Sequence, residues 1–528
     1  MRKLMNRFFL ILLAVAMAAP VFTACGNTEN TGEDNSNQTV VLTFYDKNTD
    51  DAFTDDVAKE ITRRTGVTVK IMPHTGNSEE QLNLMLANRD YPDVVLMDRH
   101  GSTVDKYISA GAVISLNELI QKYGENVTSM YGGTLDKIKG IAGNIYYLPN
   151  WYGESSEPMF GMLMRQDILK DLAADKGESG KGFTQDEFTR VLMEFKEKYP
   201  VINGKSTLPL TFPADNMFGV IHTMKGMFGL KTYYQVNGEL KYDARDPRYL
   251  EMLKYFNSLY RMGLIDKEWV ANKKKLWEEK VSEGRTFVTL GSYWDVADSN
   301  AEMKKTIGEK AQMYSYNVVG NGVQSSETTY GARSSLGWDA IGITNNCRNP
   351  ESAMKLINFL SSEEGQYLML WGIEGKSWNI VDGKHKPTDE ILQAFRENPS
   401  AASGDTGIRK WTWFIKNGNG SDGTPYDLTK KYIQSQEQIE ADKNMKGSSW
   451  DTAEYELLLP ESETREGLMY QNVSEIFNEA FPKIIDAASE EECVRLYHKM
   501  ISDMDNAGLE KVEKVINENY EARKKLWK

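Results

Sequence analysis

Residues 39–98 constrain the fold more than any other stretch. They open with TVVLTFY (residues 39–45), a β-branched and aromatic run of strand length. Phe53, Val57 and Ile61 then recur at i, i+4 and i+8, and the pattern stops at Gly66, which predicts a helix closed by a glycine. VTVKIMP (residues 67–73) reads as a second strand. Ser78-Glu79-Glu80-Gln81 is a capping-box pattern that opens a helix carrying Leu82, Met85 and Leu86, and Tyr91-Pro92 stops it. DVVLMD (residues 93–98) is a third strand. Strand, helix, strand, helix, strand at this spacing predicts βαβ units on a parallel sheet, an α/β fold. Such sheets hold ligands beyond the carboxyl ends of their strands, where Asp46 and the pair Asp98-Arg99 stand.

The middle of the chain is more helical, with amphipathic segments at residues 183–199 and 249–260. Strand-like patterns return in TFVTLGSYW (residues 286–294) and WDAIGIT (residues 338–344), and residues 351–369 read as a helix. From about residue 466 the chain is a series of helices. The last carries Leu509, Val512, Val515, Ile516 and Tyr520 in one stripe, expected to pack on the body.

The N-terminus is of another kind. Arg2, Lys3 and Arg7 precede an apolar run (residues 8–22) broken only by Pro20, the length of a signal peptide and short for a membrane span. Thr23 and Ala24 precede Cys25, and the pattern resembles a bacterial lipobox. Residues 1–24 are therefore expected to be removed and Cys25 to be lipidated, with palmitate-type acyl chains; two chains suffice for stable anchoring. Residues 26–38 contain no apolar side chain and read as a tether, reaching at most roughly 45 Å when extended. The expected location is the outer face of a bacterial cell membrane.

Loss of Arg2, Lys3 and Arg7 with the leader moves the formal charge from −14 to −17. A body so acidic has no electrostatic reason to hold nucleic acid or an anionic lipid surface. Cys347 and Cys493 are isolated in sequence and read as free thiols, with a pairing between them left open.

Catalytic signatures are mostly missing. The five histidines show no i, i+4 pair for zinc, and no G-x-S-x-G occurs. Leu370 stands where a phosphate-binding loop ending at Lys376-Ser377 needs its first glycine. Residues 418–423 satisfy G-x-G-x-x-G, but Pro425 follows where a helix must open, so a surface loop is expected. Asp46-x-Asn48-x-Asp50 has alternating oxygen ligands, yet Asp51 occupies the place of the glycine a calcium loop requires. No cofactor and no metal is expected. Counting leaves a glycosidase open, because 76 acidic residues generate carboxylate pairs by chance.

The placement of aromatic residues is more informative. Trp151-Tyr152 follow NIYYLP, Tyr293-Trp294 follow TFVTLGS with Asp295 next, and Trp338 lies in SSLGWD with Arg333 upstream. Trp378 lies in EGKSWN, and Trp411 and Trp413 flank Thr412. Rings beside Gly, Asp, Asn and Arg at the ends of elements suit sugars: an indole stacks on the C–H face and planar polar groups take the hydroxyls. Core packing is the competing reading for each ring.

An ordered series of segments carries a family resemblance: YPDVVLMD, KYISAGAVISLNELI, GNIYYLP, MLMRQDIL, FTQDEFTRVLMEFK, SLYRMGLIDKEW and GITNNCRNPESAMKLINFLSSEEGQYLMLWGIEG. Behind a lipobox, this series resembles the family 1 extracellular solute-binding proteins of ABC importers, the maltodextrin-binding-like group and its long lipoprotein members. The resemblance implies a two-lobed α/β architecture, with crossing segments forming a hinge, that closes on a solute and docks on a membrane permease. It implies a binding protein, not an enzyme, acting as a monomer. On this reading lobe 1 takes residues 39–149 with 338–400 returning, and lobe 2 takes 150–337 with 401–528. Trp151, Tyr152, Trp294, Trp338 and Trp378 are the expected stacking residues. Asp46, Asp98, Arg99, Asp215, Asp295 and Arg333 are expected to bond hydroxyls, and Arg99 and Arg333 leave an acidic sugar open. The solute is expected to be an oligosaccharide; a peptide solute and a secreted carbohydrate-active enzyme are the alternatives. Some long relatives carry a calcium loop where this chain has Val201-Ile202-Asn203-Gly204-Lys205-Ser206, so no metal carries over there. Residues 388–461 match least, which leaves Trp411 and Trp413 unassigned.

Overall fold

The βαβ units build a first sheet. Val40–Tyr45 pairs in parallel with Val67–Ile71 on one side and with Val94–Asp98 on the other. Asp339–Ile343 adds antiparallel to Val94–Asp98, and Leu148–Pro149 forms the far edge. The computed structural model describes residues 39–527 except 141, 174 and 177–181. The expected signal peptide, Cys25 and the tether lie outside the described residues.

The connecting helices follow the local signals, with one shift. Asp56–Thr65 starts where the Asp55 carboxylate accepts from the Ala58 amide, and ends at Gly66 with φ 68. Ser78–Asn88 is capped by Asn77 and not by Ser78, because the Asn77 side chain accepts from both the Glu79 and Glu80 amides. Gln81 turns away instead, donating to the Pro73 carbonyl and accepting from the Thr75 amide.

A second sheet has the order Leu208–Thr211, Thr286–Ser292, Phe160–Arg165, Met313–Tyr316. The first two strands are parallel, and Phe160–Arg165 runs antiparallel to both its neighbours. Every residue of Thr286–Ser292 is buried, as a strand covered on both faces requires. Each sheet has its own core. One gathers Leu42, Val95, Ile341 and Trp371, the other Met162, Phe195, Leu290 and Phe481. Two α/β lobes result.

The expected lobe boundary at residue 400 is corrected by this packing. Ala402, Ile408, Trp411, Trp413, Ile415 and Leu428 belong to the first core, so the return to lobe 1 runs well past 400. Two indoles tie this stretch down: Trp411 donates to Asp55 at 2.8 Å and Trp413 to Asp46 at 2.7 Å. The helices Arg465–Ile485 and Glu490–Asn506 pack on the second core. In the last helix, Leu509–Leu526, residues Val512, Ile516 and Tyr520 join a small cluster with Leu240 and Leu458, while Val515 stays half-buried. Its final turn reaches lobe 1, where buried Arg523 donates to the Lys139 and Lys137 carbonyls.

The crossings place the sheet edges. The chain leaves the first sheet at Pro149 and enters the second at Phe160; it returns through Gly331–Arg333 to Asp339. In the first sheet this edge holds the carboxyl ends of the parallel strands. In the second it holds the carboxyl ends of Leu208–Thr211 and Thr286–Ser292. Both edges therefore flank the crossing segments, at the position where open α/β sheets take ligands. Cys347 is half-buried and Cys493 buried, both as free thiols.

Candidate solute-binding site

On the lobe 1 edge the polar residues converge on Asp339. This carboxylate is fully buried and lies directly across the ladder from Asp98. Lys47 approaches it at 2.7 Å, and the side-chain amides of Asn48 and Asn150 donate to it at 3.1 and 3.3 Å. Burial raises the Asp339 pKa, and Lys47 opposes the rise. Lys47 also stands 3.9 Å from Asp98, whose side chain is 56% exposed. Hydrogen bonding from His100 holds the Asp98 carboxyl down to about 2, with Lys47 assisting. Beside this cluster Trp338, 44% exposed, stacks on Trp151 with ring centroids 5.7 Å apart at 23°.

The lobe 2 edge carries a second exposed indole, Trp294 (42% exposed), set edge-on to Tyr293 at 4.8 Å. Asp295 accepts from the Ser292 amide at 2.8 Å, and burial raises its pKa. Exposed Asp215 accepts from the Lys274 amide at 2.8 Å. Phe218, the most exposed aromatic here, packs against His222 and the edge of Phe160.

Two carboxylates are engaged at the crossing segments. Glu157 accepts from the Tyr293 hydroxyl of lobe 2 and from Lys430, next to Leu428 of the lobe 1 core. It also pairs with Arg333 of the returning strand at 3.1 Å. Burial opposes its ionisation, but Lys430 and Arg333 outweigh that and its pKa lies below the usual carboxylate range. Glu456 pairs with Arg99, which is 5% exposed and donates to the Gly337 carbonyl at 2.6 and 3.2 Å and to Ser334 at 3.2 Å.

A family model described as "Bacterial extracellular solute-binding protein" matches residues 56–373. The chain belongs to this family. It is similar to lipoprotein LipO of Bacillus subtilis (strain 168), 23% identical over 398 residues, covering 70% of this chain and 74% of LipO. It is also similar to the fructooligosaccharide ABC transporter substrate-binding protein FusA of Streptococcus pneumoniae serotype 4, 24% identical over 247 residues that cover 43% of this chain and 44% of FusA. Among solved structures, alginate-binding protein AlgQ2 without calcium ion shares the fold: TM-score 0.68, 21% identity, 92% of this chain and 99% of that one. FusA in complex with kestose does so at TM-score 0.65 and 16% identity, over 91% of this chain and 99% of that one.

In this solute-binding protein the expected site residues fall into three groups. Asp98 and Trp338 stand on one edge and Asp215, Trp294 and Asp295 on the other, and of these Asp98, Trp338, Asp215 and Trp294 are exposed. Trp151, 9% exposed, stands behind Trp338 and donates to Asn417 at 2.7 Å. The rest are committed elsewhere. Asp46 is buried under Trp413, and burial raises its pKa. Tyr152 is stacked on Tyr131 at 3.6 Å and buried. Trp378 lies in the lobe 1 core, its indole donating to the Gly372 carbonyl at 2.9 Å beside His385. Arg99 and Arg333 are held by Glu456 and Glu157. For a ring or a guanidinium, local sequence does not say which side the returning chain will cover.

The edges and the crossing segments also carry Lys47, Asn48, Asn150, Asp339, Phe218 and Glu157, none of them among the expected solute ligands. A signal existed for four of them: Lys47 and Asn48 follow Asp46, Asn150 precedes Trp151, and Asp339 follows Trp338, all at strand ends. Residues 418–423 form the expected surface loop, in which the Glu363 carboxylate accepts from the Ser421 amide at 3.0 Å. Val201–Ile202 and Lys205–Ser206 form a tight hairpin with Asn203 at φ 51 and Gly204 at φ 75. A cavity of about 310 Å³ between the Asp56–Thr65 helix and Ile373, Ile391 and Ala394 is lined by none of the edge residues.

Proposed function

We propose that this chain captures an oligosaccharide between its two lobes and delivers it to the permease of an ABC importer. One observation carries the reading: each sheet edge presents an indole more than 40% exposed next to a carboxylate, Trp338 with Asp98 and Trp294 with Asp295. A pyranose offers an apolar face for such a ring and hydroxyls for the carboxylate. The names of FusA and AlgQ2, which bind fructooligosaccharide and alginate, point the same way. Closure is hinge motion of the lobes about the crossing segments. Anchoring is by lipidated Cys25, supported by the lipobox pattern and by LipO's name as a lipoprotein. The action is binding and release of an intact sugar.

Titration calorimetry of the purified protein against an oligosaccharide panel tests this. Trp338→Ala and Trp294→Ala should each weaken binding roughly tenfold while leaving thermal stability near wild type. Hydrolysis of the sugar, or saturable binding of peptides and of no oligosaccharide, would overturn the reading.

A further inference from the structure

We propose that Phe218 forms a second sugar subsite on lobe 2, separate from Trp294, and that this subsite makes the protein prefer longer chains. The inference rests on the carbohydrate reading above and adds to it a residue and a length preference. A single exposed ring is ordinary on a protein surface, so exposure alone carries nothing. Phe218 is 63% exposed, but it is also held in place. It stands four residues before His222 on the helix Met217–Met227, so the two rings share a face, with centroids 4.2 Å apart. Both pack on buried Phe160, whose centroid lies 5.8 Å from that of Phe218 and 5.3 Å from that of His222. Contact with two neighbouring rings restricts the Phe218 rotamers, which lowers the entropy cost of stacking a ligand on it.

The cluster lies at the strand ends that also carry Trp294. Phe160 is paired with Ser292 across the ladder, and a Cβ on Gly219 would stand 3.7 Å from the Gly291 Cα, so the helix begins against the end of Thr286–Ser292. Trp294 packs on Tyr293 and makes no ring contact with Phe218 among the described residues, so the two rings offer separate platforms. The polar groups around Phe218 are free. Asn216 precedes the helix, yet its exposed side chain makes no capping bond, although asparagine is among the best residues for one. His222 Nδ1 donates to the Phe218 carbonyl at 2.9 Å; a carbonyl only accepts, so the proton is on Nδ1. Burial, with Lys225 adding to it, lowers the imidazole pKa to about 3, so the ring is neutral and Nε2 keeps its lone pair. Nε2 makes no hydrogen bond among the described residues. An apolar ring beside a neutral acceptor and an amide that both donates and accepts suits a sugar unit, which has a C–H face and a rim of hydroxyls.

The test uses the purified protein and linear malto-, cello-, xylo-, β-1,4-manno- and β-2,1-fructo-oligosaccharides, from disaccharides upward. In a series that binds, calorimetry should find wild-type affinity rising with chain length. Phe218→Ala should cut the affinity of the longest member by roughly tenfold and that of the shortest member bound by less than about twofold. Phe218→Tyr keeps the ring and should restore the wild-type profile. Thermal melting of Phe218→Ala should stay near wild type, because a ring so exposed contributes little to the core. Wild-type affinity for long chains in Phe218→Ala overturns the subsite and leaves the carbohydrate reading standing. An equal loss at every length overturns the length preference. Absence of binding in every series overturns the carbohydrate reading and this inference with it.

Discussion

The Arg99–Glu456 pair permits a sharp test of how the crossing segments are held on lobe 1. Replacing Glu456 by Gln keeps the shape and removes the charge opposite a guanidinium that is 5% exposed. Removing one partner of a buried ion pair costs about 3–5 kcal/mol. In Glu456→Gln, however, Arg99 retains the Gly337 carbonyl at 2.6 and 3.2 Å and Ser334 at 3.2 Å, and the oxygen of the introduced amide still accepts. The loss then approaches that of one charge-assisted bond, about 1.5–3 kcal/mol. Both side chains are largely buried, so added salt should change this little. Adding Arg99→Met removes the stranded cation, and the double variant should recover roughly 1 kcal/mol or more relative to the sum of the singles. The pH dependence has a definite sign. Burial opposes ionisation of Glu456, yet Arg99 outweighs it and the folded-state pKa lies below the ordinary value of 4.5. The stabilisation is thus fully present above that ordinary value and is lost as pH falls through the depressed one. Urea unfolding followed by tryptophan fluorescence, from pH 7 down to pH 3, measures the wild type, both single variants and the double variant. A Glu456→Gln cost under about 0.5 kcal/mol, or strict additivity in the double variant, would refute a buried, coupled latch.

Two further outcomes follow from side-chain placement. Trp378→Phe should lower stability by roughly 1–3 kcal/mol through the lost bond to Gly372 and the lost volume, with sugar affinity unchanged; reduced affinity at unchanged stability would return Trp378 to the binding site. Gly204→Ala places a side chain at φ 75 in the Val201–Ser206 hairpin and should cost roughly 1 kcal/mol in urea unfolding, whereas an unaltered midpoint would contradict the turn geometry.

The first sheet was legible because its signals are local. Caps, periodicity and a terminal glycine lie within a few residues of what they control, so Asp56–Thr65 and Val94–Asp98 fall where the pattern places them. Even the one shift, from Ser78 to Asn77 as cap, moves the start of a helix by a single residue. The site was legible only in kind. Trp338 and Trp378 sit in similar surroundings in sequence, next to small and polar residues, yet one is 44% exposed and the other 8%. The difference is made by the His385 hairpin and the Tyr367 helix closing over Trp378, contacts no local window contains.

Taken by itself, the sequence determined the α/β class, the family and the type of side chain offered to a solute, because strand and helix periods and the motifs of the family are written in neighbouring residues. Tertiary structure alone decided which of those side chains are free. Arg99 and Glu456 are 357 residues apart in the chain, and Trp413 reaches back 367 residues to bury Asp46. A buried charge must find a counter-charge wherever the fold brings one, so the availability of an arginine or an indole is settled by packing across the whole molecule. That packing commits Arg99 to Glu456 and Arg333 to Glu157, and leaves Trp338 and Trp294 exposed at the two edges.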